Sequence, residues 1–266
     1  MIVNIGWFST GRDEAARDLL CIAQNNIEKG VIKGKIIFSF SNRVPGESKE
    51  SDLYFKMVNE LDIPLITYSS QAFYKSHDIK DINKRRILFD RQAIDRISHY
   101  QPDICVLAGY MLIVGKEMCE RYDMVNLHPA LPTGPKGSWQ EVIWELMERK
   151  ESASGVMMHL ATTDLDRGPV ITYCKYSLSG NKFDEYWQEI ENKPIQQIKE
   201  REGENNNLFK AIREQGLIRE FPLIILTLKS LTNNDVCIIN KKVTDSTGKI
   251  IKGYDLTEQV NKMIGL

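Results

Sequence analysis

At 266 residues, 42% hydrophobic and 27% charged, the chain can bury a full core and has the balance of a folded globular protein. Thirty-five basic against thirty-six acidic residues leave a formal charge of -1, which argues against a general nucleic-acid or membrane-surface binder but allows a local basic pocket. No run approaches the ~18 apolar residues that a membrane span needs.

The first residues, Met1-Ile2-Val3-Asn4-Ile5-Gly6, start as a strand and lack the basic start and cleavage site of a secretory signal, so the expected location is the cytoplasm. Ile2–Phe8 is a short apolar run closed by the turn Ser9-Thr10-Gly11. Ala16, Leu19, Leu20, Ala23 and Ile27 then recur at helical spacing. Gly34 precedes a second strand, Ile36–Phe40, ending in Ser41-Asn42-Arg43. A helix carrying Leu53, Phe55, Met57, Val58 and Leu61 leads to a short strand at Leu65-Ile66-Thr67. Ile87, Phe89, Ile94 and Ile97 predict another helix, and Ile104–Ala108 a buried strand before Gly109. Strand–helix alternation of this kind implies a mostly parallel, doubly wound sheet, in which ligands bind at the carboxyl ends of the strands.

Beyond Pro135, Ser138 and Glu141 have capping-box spacing ahead of the apolar face Val142, Ile143, Leu146 and Met147. Val156–Leu160 and Val170–Tyr173 read as strands flanking an acidic loop. Residues 181–207, rich in Glu, Lys, Gln and Asn, predict an exposed helix and a linker. Leu208–Leu231 reads as helical with an interruption at Phe221-Pro222. A hairpin, Val236–Val243 with Ile250–Tyr254 around Ser246-Thr247-Gly248, and a last helix near 256–264 complete the chain. The expected organisation is a catalytic domain over 1–180 and an extension over 181–266 packed on it. The five cysteines, Cys21, Cys105, Cys119, Cys174 and Cys237, form no CxxC pair and are expected as reduced thiols.

Chemistry concentrates in two segments. Asn126-Leu127-His128 ends a strand before Pro129, and strand side chains repeat with period two, so the amide and the imidazole point the same way. An amide donor and a titratable ring in one cleft suit a reaction that passes through an oxyanion. Asp164-Leu165-Asp166-Arg167-Gly168 supplies a carboxylate 38 residues beyond His128 and is expected to bring it to the same sheet edge. Alone, His128 is an ordinary packed histidine and the acidic segment an ordinary turn. Together they allow His128 and Asn126 to donate to an oxyanion while Asp166 takes the proton of an attacking amine. His159, on the strand before the turn, either faces the same site or makes a structural hydrogen bond. No G-x-S-x-G elbow is present, and the His and Asp residues lack metal-ligand spacing, so neither a serine hydrolase nor a metal is expected. The loop Ser9–Asp13 is a strand-to-helix turn able to hold an anion or to be a plain helix cap, and Lys84-Arg85-Arg86 is a solvated run with one member able to reach a phosphate.

Leu107-Ala108-Gly109-Tyr110-Met111, Asn126-Leu127-His128-Pro129-Ala130-Leu131 and the ungapped stretch from Gly155 to Ile171 together resemble the folate-dependent formyltransferases, over roughly residues 1–178 with a weaker echo at Glu220–Leu228. The resemblance implies a Rossmann-like, mostly parallel α/β sheet and transfer of a formyl group from 10-formyltetrahydrofolate to a small-molecule phosphorylated amine, first a glycinamide ribotide. Matching positions make Asn126, His128 and Asp166 the catalytic trio. Tyr110, Met111, Leu112, Val114, Thr162 and Asp164 would line the folate site, and Gly11, Arg12, Arg86 and His159 the substrate side. A monomer or a homodimer is expected, without nucleic-acid or membrane partners. Four departures keep the acceptor open: Arg12-Asp13-Glu14 in the first loop, Ala130-Leu131-Pro132-Thr133 after His128-Pro129, a lengthened segment between Gly137 and Gly155, and an apparent insertion over 181–219. Another amine such as an amino-sugar nucleotide, water as acceptor, or a non-catalytic folate-binding regulator are the alternatives.

Overall fold

Apolar residues at alternate positions build β1 (Val3–Phe8), whose Ile5 and Trp7 enter one core layer and Phe8 the other. In this computed structural model all residues are described except Met1, Asp78 and Asn181, so the predicted strand start at Met1 and the first residue of the extension lie outside the described residues. The following helix, α1 (Glu14–Glu28), begins where the Asp13 carboxylate accepts from the Ala16 amide. Next comes β2 (Gly34–Ser41), parallel to β1 with a bulge opposite Ile5 and Gly6 that switches faces, putting Ile36 in one layer and Phe38 and Phe40 in the other. Gly6 sits opposite that bulge; a Cβ there would lie 2.6 Å from the Phe38 ring.

The chain continues through α2 (Lys49–Glu60), β3 (Leu65–Thr67), α3 (Ser70–His77), α4 (Ile82–Ile97), β4 (Ile104–Leu107), α5 (Lys116–Arg121) and β5 (Met124–His128). The expected capping box is present: Ser138 opens α6 (Trp139–Glu148), with Ser138 and Glu141 bonding reciprocally. After it, β6 (Ala153–Leu160) and β7 (Val170–Ser177) pair as a hairpin. Residues 182–207 are not one helix and a linker. Two helices, α7 (Lys182–Ile190) and α8 (Ile195–Arg201), and a 3-10 turn at Gly203–Asn205 occupy them, because Phe183, Trp187, Ile190 and Ile198 find a core with Trp144 and Phe209. The helix interruption expected at Pro222 is absent: α9 (Asn207–Thr232) is continuous, held by Leu223, Ile224 and Leu228 in the main core.

The predicted hairpin is also displaced. β8 (Val236–Ile239) pairs with β9 (Lys242–Asp245) around Asn240 and Lys241, both at positive φ, while the turn at 246–248 is closed by a single bridge from Thr244 to Ile250. Tyr254 leaves that unit: β10 (Tyr254–Asp255) joins the main sheet beside β7, followed by α10 (Thr257–Met263).

The main sheet has the order β10-β7-β6-β5-β4-β1-β2-β3, parallel throughout except for β6, which runs against both neighbours. This is the expected mostly parallel α/β architecture. Residues of α1, α2 and α9 cover one face; residues of α3, α4 and α5 cover the other. Among the described residues no helix is long and apolar enough to cross a membrane.

Candidate active site

Asn126 and His128 stand at the end of β5, paired across to His159 and Met157 of β6. Because β6 is antiparallel, the acidic loop does not leave from the end of β5 that carries His128. Leu160 pairs with Val125, and the Ala161 amide donates to the Met124 carbonyl (2.8 Å), so the loop departs near the start of β5. Asp166 reaches the histidines by folding back across the sheet, so the carboxylate meets His128 as expected, by a route that the strand order decides. The return is tight. Asp166 adopts φ 55°, in the left-handed region, and the Leu160 amide closes the loop on the Pro169 carbonyl at 2.9 Å.

The fold-back brings one carboxylate between two rings. Asp166 Oδ2 lies 3.5 Å from His128 Nδ1 and Oδ1 lies 3.7 Å from His159 Nε2, all three side chains being less than a tenth exposed. Asn126 Nδ2 is 3.5 Å from His159 Nε2. His159 Nδ1 donates to the Leu160 carbonyl (2.9 Å), which leaves Nε2 as the acceptor facing Asn126. Burial pushes the His159 imidazole below its ordinary value, opposed by the Leu160 hydrogen bond and the Asp166 charge and reinforced by His128. His159 is thus neutral at neutral pH, an orienting acceptor more than an acid.

His128 is set differently from expectation. Its Nε2 donates to the Pro135 carbonyl (2.8 Å), and its Nδ1 faces Asp166. The Pro135 carbonyl takes the Nε2 hydrogen, Nδ1 is only in contact distance of Asp166, and the ring is not part of the wall of the neighbouring cavity. The Gly137 amide approaches Asp166 Oδ2 at 3.4 Å, and Lys136 pairs with Asp164 at 3.3 Å, tying the segment after Pro135 to the acidic loop.

That cavity, about 170 Å³, is walled by Tyr110–Val114, Leu107, Ala161 and Leu165 on the apolar side and by Asn126, His159 and Asp166 on the polar side, with Thr162 at its rim. The Leu112 and Val114 amides donate to no group within the chain among the described residues. An apolar slot with free backbone amides at one wall and an amide, an imidazole and a carboxylate at the other fits a flat heteroaromatic ligand that carries a reactive carbonyl. Asp164 stays exposed on the loop outside the wall.

Gly11, Arg12 and Arg86 also lie outside that wall. Gly11 has φ 61°, and a Cβ there would meet the Tyr54 side chain at 2.8 Å, so the turn after β1 depends on glycine. Arg12 is half-exposed and pairs with Asp13 at 3.0 Å. Arg86, on α4, is half-buried near Asp90, whose carboxylate accepts from the Gly115 amide behind the slot. Thr10 joins the two regions: its hydroxyl donates to Asn42 (2.7 Å) and accepts from the Met111 amide (2.9 Å). Arg43 flanks the first loop through Ser51, which in turn donates to the Thr10 carbonyl (3.1 Å). Asn42 and Arg43 were readable only as a strand-end wall, and the Pro135 carbonyl had no signal in the sequence.

Comparison with known proteins agrees with this architecture. A model of the formyl transferase family matches residues 22–186. Phosphoribosylglycinamide formyltransferase of Escherichia coli strain K12 is 35% identical over 92 residues, 34% of this chain and 42% of that protein. Formyltetrahydrofolate deformylase of Haemophilus influenzae is 28% identical over 97 residues, 36% of this chain and 34% of that protein. The chain thus spans less than half the length of these two relatives. Glycinamide ribonucleotide transformylase 1 from Symbiobacterium toebii has the same fold, with a TM-score of 0.63 at 17% identity over 92% of this chain and 94% of that one.

Proposed function

We propose, because this chain belongs to the formyl transferase family, that it transfers a formyl group from 10-formyltetrahydrofolate to a primary amine, that of phosphoribosylglycinamide first. The observation that carries this reading is the convergence of Asp166 on His128 and His159, beside Asn126 and at the wall of an apolar slot. On this reading residues 1–180 are the catalytic domain and 181–266 an extension packed on it.

When bound, 10-formyltetrahydrofolate supplies the electrophilic formyl carbon. The Leu112 and Val114 amides hold its ring edge, Tyr110 and Met111 shape the slot, and Thr162 and Asp164 belong to the loop that closes over it. Asn126 donates its free N–H to the developing oxyanion. His128 holds Asp166 from behind and becomes a second donor when its ring leaves the Pro135 carbonyl. Asp166 would receive the proton that the amine sheds on attack and return it to N10 as the adduct collapses and the formyl C–N10 bond breaks, so that the amine leaves formylated and tetrahydrofolate leaves neutral at N10. Gly11, Arg12 and Arg86 receive the substrate phosphate, and His159 orients Asn126 from the substrate side.

His128→Ala tests this. Folate binding, followed by fluorescence quenching, is retained while turnover falls ~100- to 1000-fold, the cost typical of losing an oxyanion donor. Near-normal turnover would refute the role. A second reading follows from the relatives named as deformylases: water takes the place of the amine. Formate release that needs no amine would establish it over transfer.

A further inference from the structure

A second, roomier cleft lies away from Asn126, His128 and Asp166 and shares no residue with the slot beside them. It has about 950 Å³ and opens where the edge of β7 loses its partner: β10 pairs only with Thr172 and Tyr173, leaving Lys175–Ser177 uncovered by a strand. The cleft floor holds a group that is out of place in a protein interior. Arg219 of α9 is 3% exposed, yet no carboxylate lies within 4.0 Å of it among the described residues. Its Nη1 donates to the Gln215 carbonyl (2.8 Å) and Oε1 (2.9 Å), and its Nη2 meets Asn261 at 3.4 Å. The guanidinium sits 4.9 Å from the centre of the Tyr176 ring. Its Nε is buried and without a partner. A buried, fixed guanidinium with neutral neighbours and an unused donor is costly to keep unless an anion completes it.

The walls match. Lys175, Lys182 and Lys210 line the same cleft, none of them in an ion pair among the described residues, so that four cationic side chains face one acidic side chain, Glu214. The three lysines come from three different elements, β7, α7 and α9, so no single helix face explains their meeting. Mobile ammonium groups at the rim over a fixed guanidinium fork are the arrangement that captures several negative charges on one small molecule. A single carboxylate would leave most of that charge uncompensated.

We propose that this cleft is a second ligand site, which takes a small phosphate-bearing polyanion on Arg219 with Lys175, Lys182 and Lys210 around it. The site is independent of the formyl-transfer reading and would stand if that reading failed.

Inorganic pyrophosphate is the probe, titrated calorimetrically at low ionic strength into the full chain carrying Arg86→Gln, which weakens the other anion position proposed above. Saturable binding of one equivalent is expected. Adding Lys175→Ala and Lys210→Ala, both exposed and harmless to folding, lowers the affinity at least tenfold, and Arg219→Gln in a chain with an unchanged circular dichroism spectrum lowers it at least as far. If Arg219→Gln does not fold, the lysine pair decides. No saturable binding in the Arg86→Gln chain, or binding that the lysine pair leaves unchanged, overturns the proposal. A failed turnover assay bears only on the formyl-transfer reading, because this titration measures no chemistry.

Discussion

Gly168 bears on the position of Asp166 without touching any ligand. A Cβ built on it lies 1.7 Å from the Leu160 carbonyl oxygen and 2.8 Å from the Leu160 carbonyl carbon, with Thr162 Cγ2 at 3.1 Å. The first distance is 1.3 Å inside the 3.0 Å that real Cβ contacts essentially never cross, and the obstacle is backbone of β6. In Gly168→Ala the turn must therefore retreat by on the order of 1 Å, breaking the Leu160 to Pro169 hydrogen bond or moving Asp166, two residues away, out of reach of the histidines. Overpacking of this kind costs about 1–3 kcal/mol, which for a domain of this size lowers Tm by roughly 2–10 °C. The effect on chemistry is larger: a ~1 Å misplacement of a reacting group costs on the order of 100-fold in rate. Turnover with 10-formyltetrahydrofolate and the amine, measured well below Tm, separates the two effects. A Gly168→Ala chain with turnover within threefold of the parent and an unchanged Tm would refute the geometry argued for the acidic loop.

Two stability predictions follow from groups away from the reacting atoms. Burial pushes the Asp90 carboxyl up to about 6, against the Gly115 hydrogen bond and the Arg86 charge. A raised carboxyl keeps its proton in the fold after the unfolded chain has released it, so this group's contribution to stability is lost as pH rises from about 4 through 6, by at most on the order of 3 kcal/mol. Asp90→Asn keeps an oxygen for the Gly115 amide and removes the buried charge. It is expected to flatten Tm between pH 4 and 7 and to be at least as stable at pH 7; an unchanged slope would contradict this. Asn206 is 2% exposed, caps α9 at the Phe209 amide (3.1 Å) and donates to Glu202 (2.8 Å). Asn206→Ala should cost about 1–2 kcal/mol, seen as a drop of several degrees in a thermal melt, and no drop would show that α9 starts without it.

Much of the scaffold was legible because its signals are local. Short apolar runs marked β1, β2, β4 and β5, helical spacing marked α1 and α4, and Ser138 with Glu141 marked the start of α6, each a pattern that neighbouring residues enforce whatever the rest of the chain does. The short α3 and α5 left no such trace: α5 spans six residues, fewer than two turns. Phe221-Pro222 read as a break because proline suits the first turn of a new helix, but the buried Leu223, Ile224 and Leu228 around it outweigh that local preference. At the site, the residue types Asn126, His128, His159 and Asp166 were all present in the sequence. Strand direction assigns their geometry: antiparallel β6 forces the acidic loop to fold back, puts His159 opposite Asn126, and leaves His128 bonded to a carbonyl seven residues on. Arg219 and the lysines of the open cleft converge from separate elements in the same way. Chemical identity travels with each residue along the chain, whereas which groups meet depends on pairings between distant segments, and those form only when the core is buried.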